Sequence, residues 1–355
     1  MPRHADTLAF KPTVNDIARV AGVSLATVDR VLNGRPGVRS VTVEKVNQAI
    51  AELGYVRDTA AVSLARRRFY RFLCILPQTD NEFVAALEKE ILSQGQRLNH
   101  QRTSLTYVTT PPFDPTTLVK VLDELNAEEV DGVAVFGPET PDVRDAVKRA
   151  KDRGIAIVAL VSDIPGSNRD HFVGIDNIAA GRTAALLMGR FVRENGKILV
   201  ITGSRLARDH LERRSGFDAV MGSDYPNLNV VASIEGRDDP ELILSMLPDI
   251  FAENPDIQGV YSSAAGNSGL VRFLEETGRQ RNQTVIAHEL TGTSREALLK
   301  GSIDAIISQD TGHLIRSTTR VLRAIVDKIP IDAQQERIRL DIYVRENIPP
   351  GPNQL

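Results

Sequence analysis

Apolar positions recur at two different periods along this chain, and the change of period divides it. Near the front, Ile17, Ala18 and Ala21 fall at helical spacing. Thr13 followed by Asp16 has the form of a capping box, so a helix starts at Val14 and closes at Gly22, where a left-handed residue is needed. Ser24 then caps a second helix with Val28, Val31 and Leu32 on its inner face. After the loop Gly34-Arg35-Pro36-Gly37, a third helix places Val43, Val46, Ala49, Ile50 and Leu53 together and stops at Gly54. Two short helices around a tight glycine turn suit a helix-turn-helix. The same spacing suits a plain αα-hairpin in a bundle, and the rest of the chain has to separate the two.

From Arg71 the texture becomes short apolar strands alternating with amphipathic helices. Strands are expected at Phe72–Leu76, Ser104–Thr109, Val130–Phe136, Ile155–Val161 and Phe172–Ile175, then at Lys197–Thr202, Asn229–Ile234, Gly259–Ser262, Thr284–His288 and Ala305–Ser308. Helices fill the intervals, the last over Gly312–Lys328, and the Pro-rich end from Ile348 reads as a tail. Such alternation implies parallel sheets with right-handed crossovers. The strands are too many for one ordinary open sheet, and a break falls near Gly174-Ile175-Asp176-Asn177. The fold class expected is a small all-α helix-turn-helix head on an α/β body of two Rossmann-like lobes, with ligand groups in loops at the carboxyl ends of strands. The domain boundaries are 1–11 for a loose N-terminus, 12–57 for the head, 58–70 for a hinge or linker, 71–345 for the body and 346–355 for the tail.

Charge sharpens the division. The net charge of −3 hides 12 Lys/Arg against 6 Asp/Glu in residues 1–72, a net of +6, and 31 against 40 in the remainder, a net of −9. A basic head on an acidic body suits a nucleic-acid partner, since phosphate neutralisation supplies much of such affinity. The Ala-rich segment Arg57–Arg68, with Arg66, Arg67 and Arg68 in a row, is too short for a stable isolated helix and fits a hinge that folds on DNA.

Composition excludes several classes. Of 355 residues, 42% are hydrophobic and 25% charged, the balance of a soluble globular chain. Cys74 is the single cysteine, so an intramolecular disulfide and a cysteine zinc site are out, and its setting in Phe72–Leu76 makes it a small core residue. Met1–Phe10 has no signal-peptide core and no apolar run suggests a membrane span, so a cytoplasmic location is expected. His4, His100, His171, His210, His288 and His313 show no metal spacing, no G-x-S-x-G nucleophile motif occurs, and Gly203-Ser204 lacks a phosphate-loop continuation. No catalytic role, metal or cofactor is expected.

Taken together, the segments resemble the lac repressor (LacI/GalR-type) family of bacterial transcription regulators over about residues 12–345. The most specific portion is Thr13–Asn33, close to T-x-x-D-I-A-x-x-A-G-V-S-x-x-T-V-S-R-V-L-N, followed by Ala51-Glu52-Leu53-Gly54-Tyr55 and a hinge match at Ala61–Ala65. The body is similar to type I periplasmic sugar-binding proteins, with support from Val173–Asn177 and from Ile307–Asp310 near a lobe crossing. The resemblance implies that the second helix reads a major groove. Leu25, Ala26 and Arg30 fall at base-contacting positions, and Arg30 is the main reader because its fork matches guanine O6 and N7. Thr13, Ser24, Thr27 and Asn33 match phosphate-holding positions, and Leu64 matches a leucine wedged into the minor groove at the operator centre. Asp29 stands where the family has serine, and a carboxylate there could orient the Arg30 fork.

The same resemblance implies a small-molecule effector, a sugar, polyol or sugar acid, held between the lobes of a homodimer that binds a pseudo-palindromic double-stranded operator. Asp80, Asn81 and Phe83 follow the first body strand, Asp163 follows the strand Ile155–Val161, and Arg213 matches an arginine that relatives point at ligands. Asn267, Glu289 and Gln309 complete the expected ring, while Asp176 and Asn177 read as helix-start residues. Two departures fall in this cleft: Ser263–Gly269 replaces N-D-x-x-A-x-G, and Glu289 replaces an aspartate. The body alone would also fit a solute receptor of a transport system.

Overall fold

The computed structural model describes residues 12–32, 36–55, 68–192 and 195–350. These fall into two compact units, Met1–Arg68 and Phe69–Leu355.

In the first unit, α1 spans Val14–Ala21, α2 Leu25–Leu32 and α3 Ser40–Leu53. The Thr13–Asp16 capping box forms in full, and Gly22 ends α1 at φ 64°. That conformation is the one glycine adopts without a Cβ penalty, which makes the turn into α2 tight. Ser24 Oγ accepts the Thr27 N–H at 3.2 Å and so caps α2. Ile17, Val28, Val46 and Ala49 form the small core, with Val23, Val31, Leu32, Ile50 and Leu53 packed on it. Asn33, Leu64 and nearly all of the 58–70 segment lie outside the described residues.

The second unit has two sheets. The first contains β1 (Tyr70–Pro77), β2 (Thr103–Thr110), β3 (Gly132–Val135), β4 (Ala156–Leu160) and β5 (His171–Val173), in the order β2-β1-β3-β4-β5. Its helices are α4 (Glu82–Asn99), α5 (Pro115–Glu124) and α6 (Pro141–Asp152). The second contains β6 (Gly196–Thr202), β7 (Leu228–Glu235), β8 (Ile257–Ser262), β9 (Thr284–His288), β10 (Ala305–Ser308) and β11 (Asp341–Tyr343), in the order β11-β10-β9-β8-β6-β7. Alongside it run α7 (Asn177–Phe191), α8 (Arg208–Asp224), α9 (Pro240–Glu253), α10 (Asn267–Glu276) and α11 (Gly292–Lys300). All pairings are parallel except β10 with β11. Leaving β11 aside, the second order repeats the first. Each lobe therefore has a switch point, between β1 and β3 and between β6 and β8, where a crevice opens at the strands' carboxyl ends. Strands buried on both faces explain the unbroken apolar runs, as in β4, where all residues of Ala156–Leu160 are buried. Cys74 lies on β1 with its thiol pushed up to about 12 by burial, an inert core group.

The chain crosses between lobes near 174–176, where the sequence breaks, and again at 309–310, after which α12 (Thr311–Asp327) returns to pack on α4, β1, β3, β4 and β5. A third crossing follows α12 and leads into β11, an element that the sequence pattern does not announce. It is pinned by Glu336, which accepts from Ser317 Oγ at 2.6 Å and from Arg320 Nε and Nη2 at 2.7 Å. The expected tail is also corrected in part: Ile348 packs on the core of the second sheet and Arg295 holds the Pro349 carbonyl. Three residues of strand carry too short a period to be recognised from sequence, and only pairing to β10 defines them.

Candidate effector cleft and DNA-facing helix

The site begins where α7 and α8 cross. A Cβ on Gly181 would stand 1.9 Å from the Arg213 carbonyl oxygen, and one on Gly216 2.1 Å from that of Ile178. Glycine at both positions lets the helix backbones touch, which brings Asn177 at the start of α7 beside Arg213 inside α8. Arg213 is 3% exposed. Its Nε donates to Asn177 Oδ1 at 2.9 Å, its Nη1 to the Ser263 carbonyl at 2.9 Å, and its Nη2 lies 3.5 Å from Glu289 Oε1. Glu289 sits at φ 64°, a left-handed conformation that costs a non-glycine residue and here swings its carboxylate back towards α8. Gln309 Nε2 donates to the same Oε1 at 3.0 Å. Burial pushes the Glu289 carboxyl up, against the opposing pull of Arg213.

Beside this network, His210 Nδ1 accepts the Ser204 N–H at 3.2 Å, and Nε2 lies 3.6 Å from Asp209 Oδ2. Burial works to raise the Asp209 carboxyl, but the neighbouring His210 ring and Arg213 guanidinium, with the Ser162 hydroxyl, outweigh it and hold Asp209 below the usual range. Bonds across the cleft join the lobes. The Asp209 N–H donates to Ser162 Oγ at 3.3 Å and the Glu139 N–H to the Leu206 carbonyl at 2.9 Å. On the same unit, the Glu82 carboxylate accepts from the Thr293 N–H at 3.1 Å and hydroxyl at 3.0 Å, at the start of α11. Desolvation opposes the Glu82 charge, yet donors from Thr291, Thr293 and Gly292 prevail and lower its pKa.

Between the lobes lies a cavity of about 570 Å³. Of the residues read from sequence, Asp80, Asn81, Phe83, Arg213, Asn267 and Glu289 line it. Asn81 also caps α4, accepting the Phe83 N–H at 2.8 Å. Gln309 stands behind Glu289 instead of lining the cavity. Asp163 is a correction: it forms an ion pair with Arg169 and accepts the Ile164 N–H at 2.7 Å, so it braces the loop after β4 and does not line the cavity. The reason is local, since the chain turns at Val161 (φ 64°) and the next carboxylate is captured by its own loop. Asp176 caps α7 through the Ala179 N–H at 2.9 Å.

Sequence reasoning misses Asp209, His210, Arg237, Asp238 and His288, all of which line the cavity. For Asp209 and His210 a signal exists, because they follow the first strand of a lobe, at a switch point. Arg237 and Asp238 owe their place to consecutive left-handed residues, φ 51° and 58°, that no sequence pattern announces. His288 ends β9, and its Nε2 is 3.0 Å from the Tyr261 hydroxyl. Burial, with Arg213 and His210 nearby, keeps its pKa well below the ordinary value. In the unfolded chain His288 takes a proton at a higher pH than in the fold, so acidification favours unfolding. The stability contribution is therefore complete above the ordinary histidine value and falls as pH drops through it. A His288→Gln variant should flatten the slope of melting temperature against pH between about 7 and 5; an unchanged slope would assign it to other groups.

In the head, Leu25 is 50% exposed, and Ala26, Asp29 and Arg30 share the exposed face of α2, opposite buried Val28. Thr13 and Ser24 are exposed at the starts of α1 and α2, and Thr27, with its hydroxyl 2.9 Å from that of Ser24, is half-buried. Residues 13–58 match the family described as bacterial regulatory proteins, lacI family, and residues 72–329 match the periplasmic binding protein domain. The chain belongs to the periplasmic binding protein domain family and carries a lacI-family head. Among curated relatives, it is 29% identical over 213 residues to the HTH-type transcriptional regulator DegA of Bacillus subtilis, covering 60% of this chain and 61% of that one. It is 24% identical over 192 residues to the catabolite control protein A of Staphylococcus aureus, covering 54% and 55%. The chain thus spans 61% and 55% of the length of these curated relatives. In fold, it is similar to GanP, a glucose-galactose binding protein from Geobacillus stearothermophilus, with a TM-score of 0.72 and 21% identity over 79% of this chain and 99% of that one. A Burkholderia graminis solute-binding protein in complex with D-arabinose gives a TM-score of 0.71 at 22% identity, covering 79% and 96%. Among the described residues, no group of three or more His, Cys, Asp or Glu could hold a metal, and no helix is long and apolar enough to cross a membrane.

Proposed function

We propose that this lacI-family chain is a sequence-specific DNA-binding transcription regulator whose operator affinity is set by a small, sugar-like molecule bound between the lobes. One observation carries the reading: a helix-turn-helix with an exposed second-helix face lies in the same chain as a two-lobed body with a polar cavity at its switch points. DegA, named as a transcriptional regulator, and the sugar-binding proteins of similar fold support the two halves of it. On this reading Arg30 donates to a guanine, Leu25 and Ala26 touch apolar base edges, Thr13, Ser24, Thr27 and Asn33 hold phosphates, and Leu64 of the hinge enters the minor groove. Two heads on a homodimer read a pseudo-palindromic site in the cytoplasm. The effector acts through unequal affinity for the DNA-competent and DNA-incompetent states, by changing how far the lobes close.

A gel shift with genomic fragments, with and without a panel of sugars, tests the reading. Sequence-selective binding that a sugar shifts supports it; no selective binding in any ligand state returns the chain to a solute receptor. Arg30→Ala should weaken the selected operator by about 1–3 kcal/mol while changing non-specific binding far less. Equal losses on both DNAs would make Arg30 a phosphate contact. Asp29→Ser tests its orienting role: unchanged operator affinity would remove it.

A further inference from the structure

In the cavity the buried guanidinium of Arg213 is engaged, and most of the buried polar atoms left unmet are acceptors. All three arms of Arg213 have partners: Asn177, the Ser263 carbonyl and Glu289. Without a hydrogen-bond partner among the described residues are Asp209 Oδ1, Asn267 Oδ1, Glu289 Oε2 and the ring nitrogen Nδ1 of His288, together with Gln309 Oε1 behind them. Asp209 is 3% and Asn267 9% exposed, so closure shields both from bulk water. An unmet buried acceptor is costly, and more so when it is charged.

Sign adds to polarity. The lining holds six carboxylates, from Asp80, Glu82, Asp209, Asp238, Asp239 and Glu289, against two guanidinium groups, Arg213 and Arg237. Some of these carboxylates have work in the fold: Asp239 caps α9, and Asp238 accepts the Ala265 N–H at 3.1 Å. Their charge remains, and a low-dielectric cleft screens it little. A ligand carboxylate or phosphate would face net repulsion with Arg213 already engaged, and exposed Arg237 is the guanidinium left for it to reach. A neutral sugar supplies hydrogens, whereas an aminated one supplies hydrogens and the complementary charge. Phe83 and Phe136 on the same wall offer apolar faces to ring C–H groups.

We propose that the effector is a polyhydroxylated ammonium compound, of the amino sugar or amino polyol class, whose N–H and O–H hydrogens are taken up by Asp209, Asn267 and Glu289. The proposal rests on the reading of this cavity as the effector site. It narrows the choice among sugar, polyol and sugar acid, and it removes the acid.

The test is calorimetric titration of the full chain with matched sets in gluco, galacto and manno configurations: the 2-amino sugar, its N-acetyl form, the neutral parent and the uronic acid. The expected result is that one amino sugar binds at least about tenfold tighter than its neutral parent and its N-acetyl form, with no binding of the acid. Asp209→Asn should bring the amino sugar to within about threefold of the parent; if that variant fails to fold, the charge series on the unaltered chain decides alone. A parent or N-acetyl form that binds as tightly, or an acid that binds better, overturns the proposal and leaves the effector-site reading standing. No binding by any member, charged or neutral, takes the sugar-effector reading down with it.

Discussion

Arg213→Met is expected to abolish effector binding and to cost the body about 3–5 kcal/mol, the usual result of removing one partner of a buried ion pair. The side chain is 3% exposed and does three jobs at once. Its loss leaves Asn177 Oδ1 and the Ser263 carbonyl without their donor and leaves Glu289 with Gln309 alone. Methionine fills similar volume without the charge, so the effect reports electrostatics more than a void. Removing the guanidinium also removes the pull that opposes burial at Glu289, so that carboxyl takes up a proton at a higher pH. Denaturant melts measure the first effect and calorimetry with any bound sugar the second. A variant that melts within about 1 kcal/mol of the parent would show the network to be slack, and binding unchanged would move the ligand away from α8.

Gly181→Ala and Gly216→Ala should each destabilise the second lobe by about 3 kcal/mol, the upper end for an overpacked contact. The added methyl would meet backbone, at 1.9 Å from the Arg213 oxygen or 2.1 Å from that of Ile178, so no side-chain rotation relieves it. The helices would have to separate, and separation pulls Arg213 from Asn177. Loss of ligand affinity should therefore accompany loss of stability. Gly222→Ala is the control on the same helix: nothing lies within 4 Å of its Cβ position, and alanine there should be stabilising by about 0.5–1 kcal/mol. If all three glycines behave alike, helix propensity rather than the crossing governs α7 and α8.

Both expectations concern contacts between segments far apart in the chain, which is where sequence patterns stop being informative. The capping box at Thr13, the glycine stop at Gly22 and the apolar faces of the head helices are local features, decided within four residues, and are legible in the chain. So is the alternation of buried strands with helices, because a strand covered on both faces must be apolar throughout. The cleft is legible only where a residue type at a recognisable position carries it, as with Arg213 and Glu289. Asp163 looks equivalent by the same rule, yet Arg169 lies six residues on and captures it. His288 and Arg237 carry no pattern, since their place depends on which strand ends converge. The short β11 and the third crossing are invisible for the same reason: their partners, β10 and α12, are distant in sequence.

The division into a basic helical head and an acidic two-lobed body is thus written in the chain, because helical caps, strand periodicity and charge are properties of neighbours along it. Which charges meet is a matter of packing alone. The contact of α7 with α8 at paired glycines, the left-handed turn at Glu289 and the closure of one lobe on the other place Asp209, Arg213 and Glu289 in one cavity. The energy of that cluster comes from desolvation and distance, and neither exists until the lobes have folded.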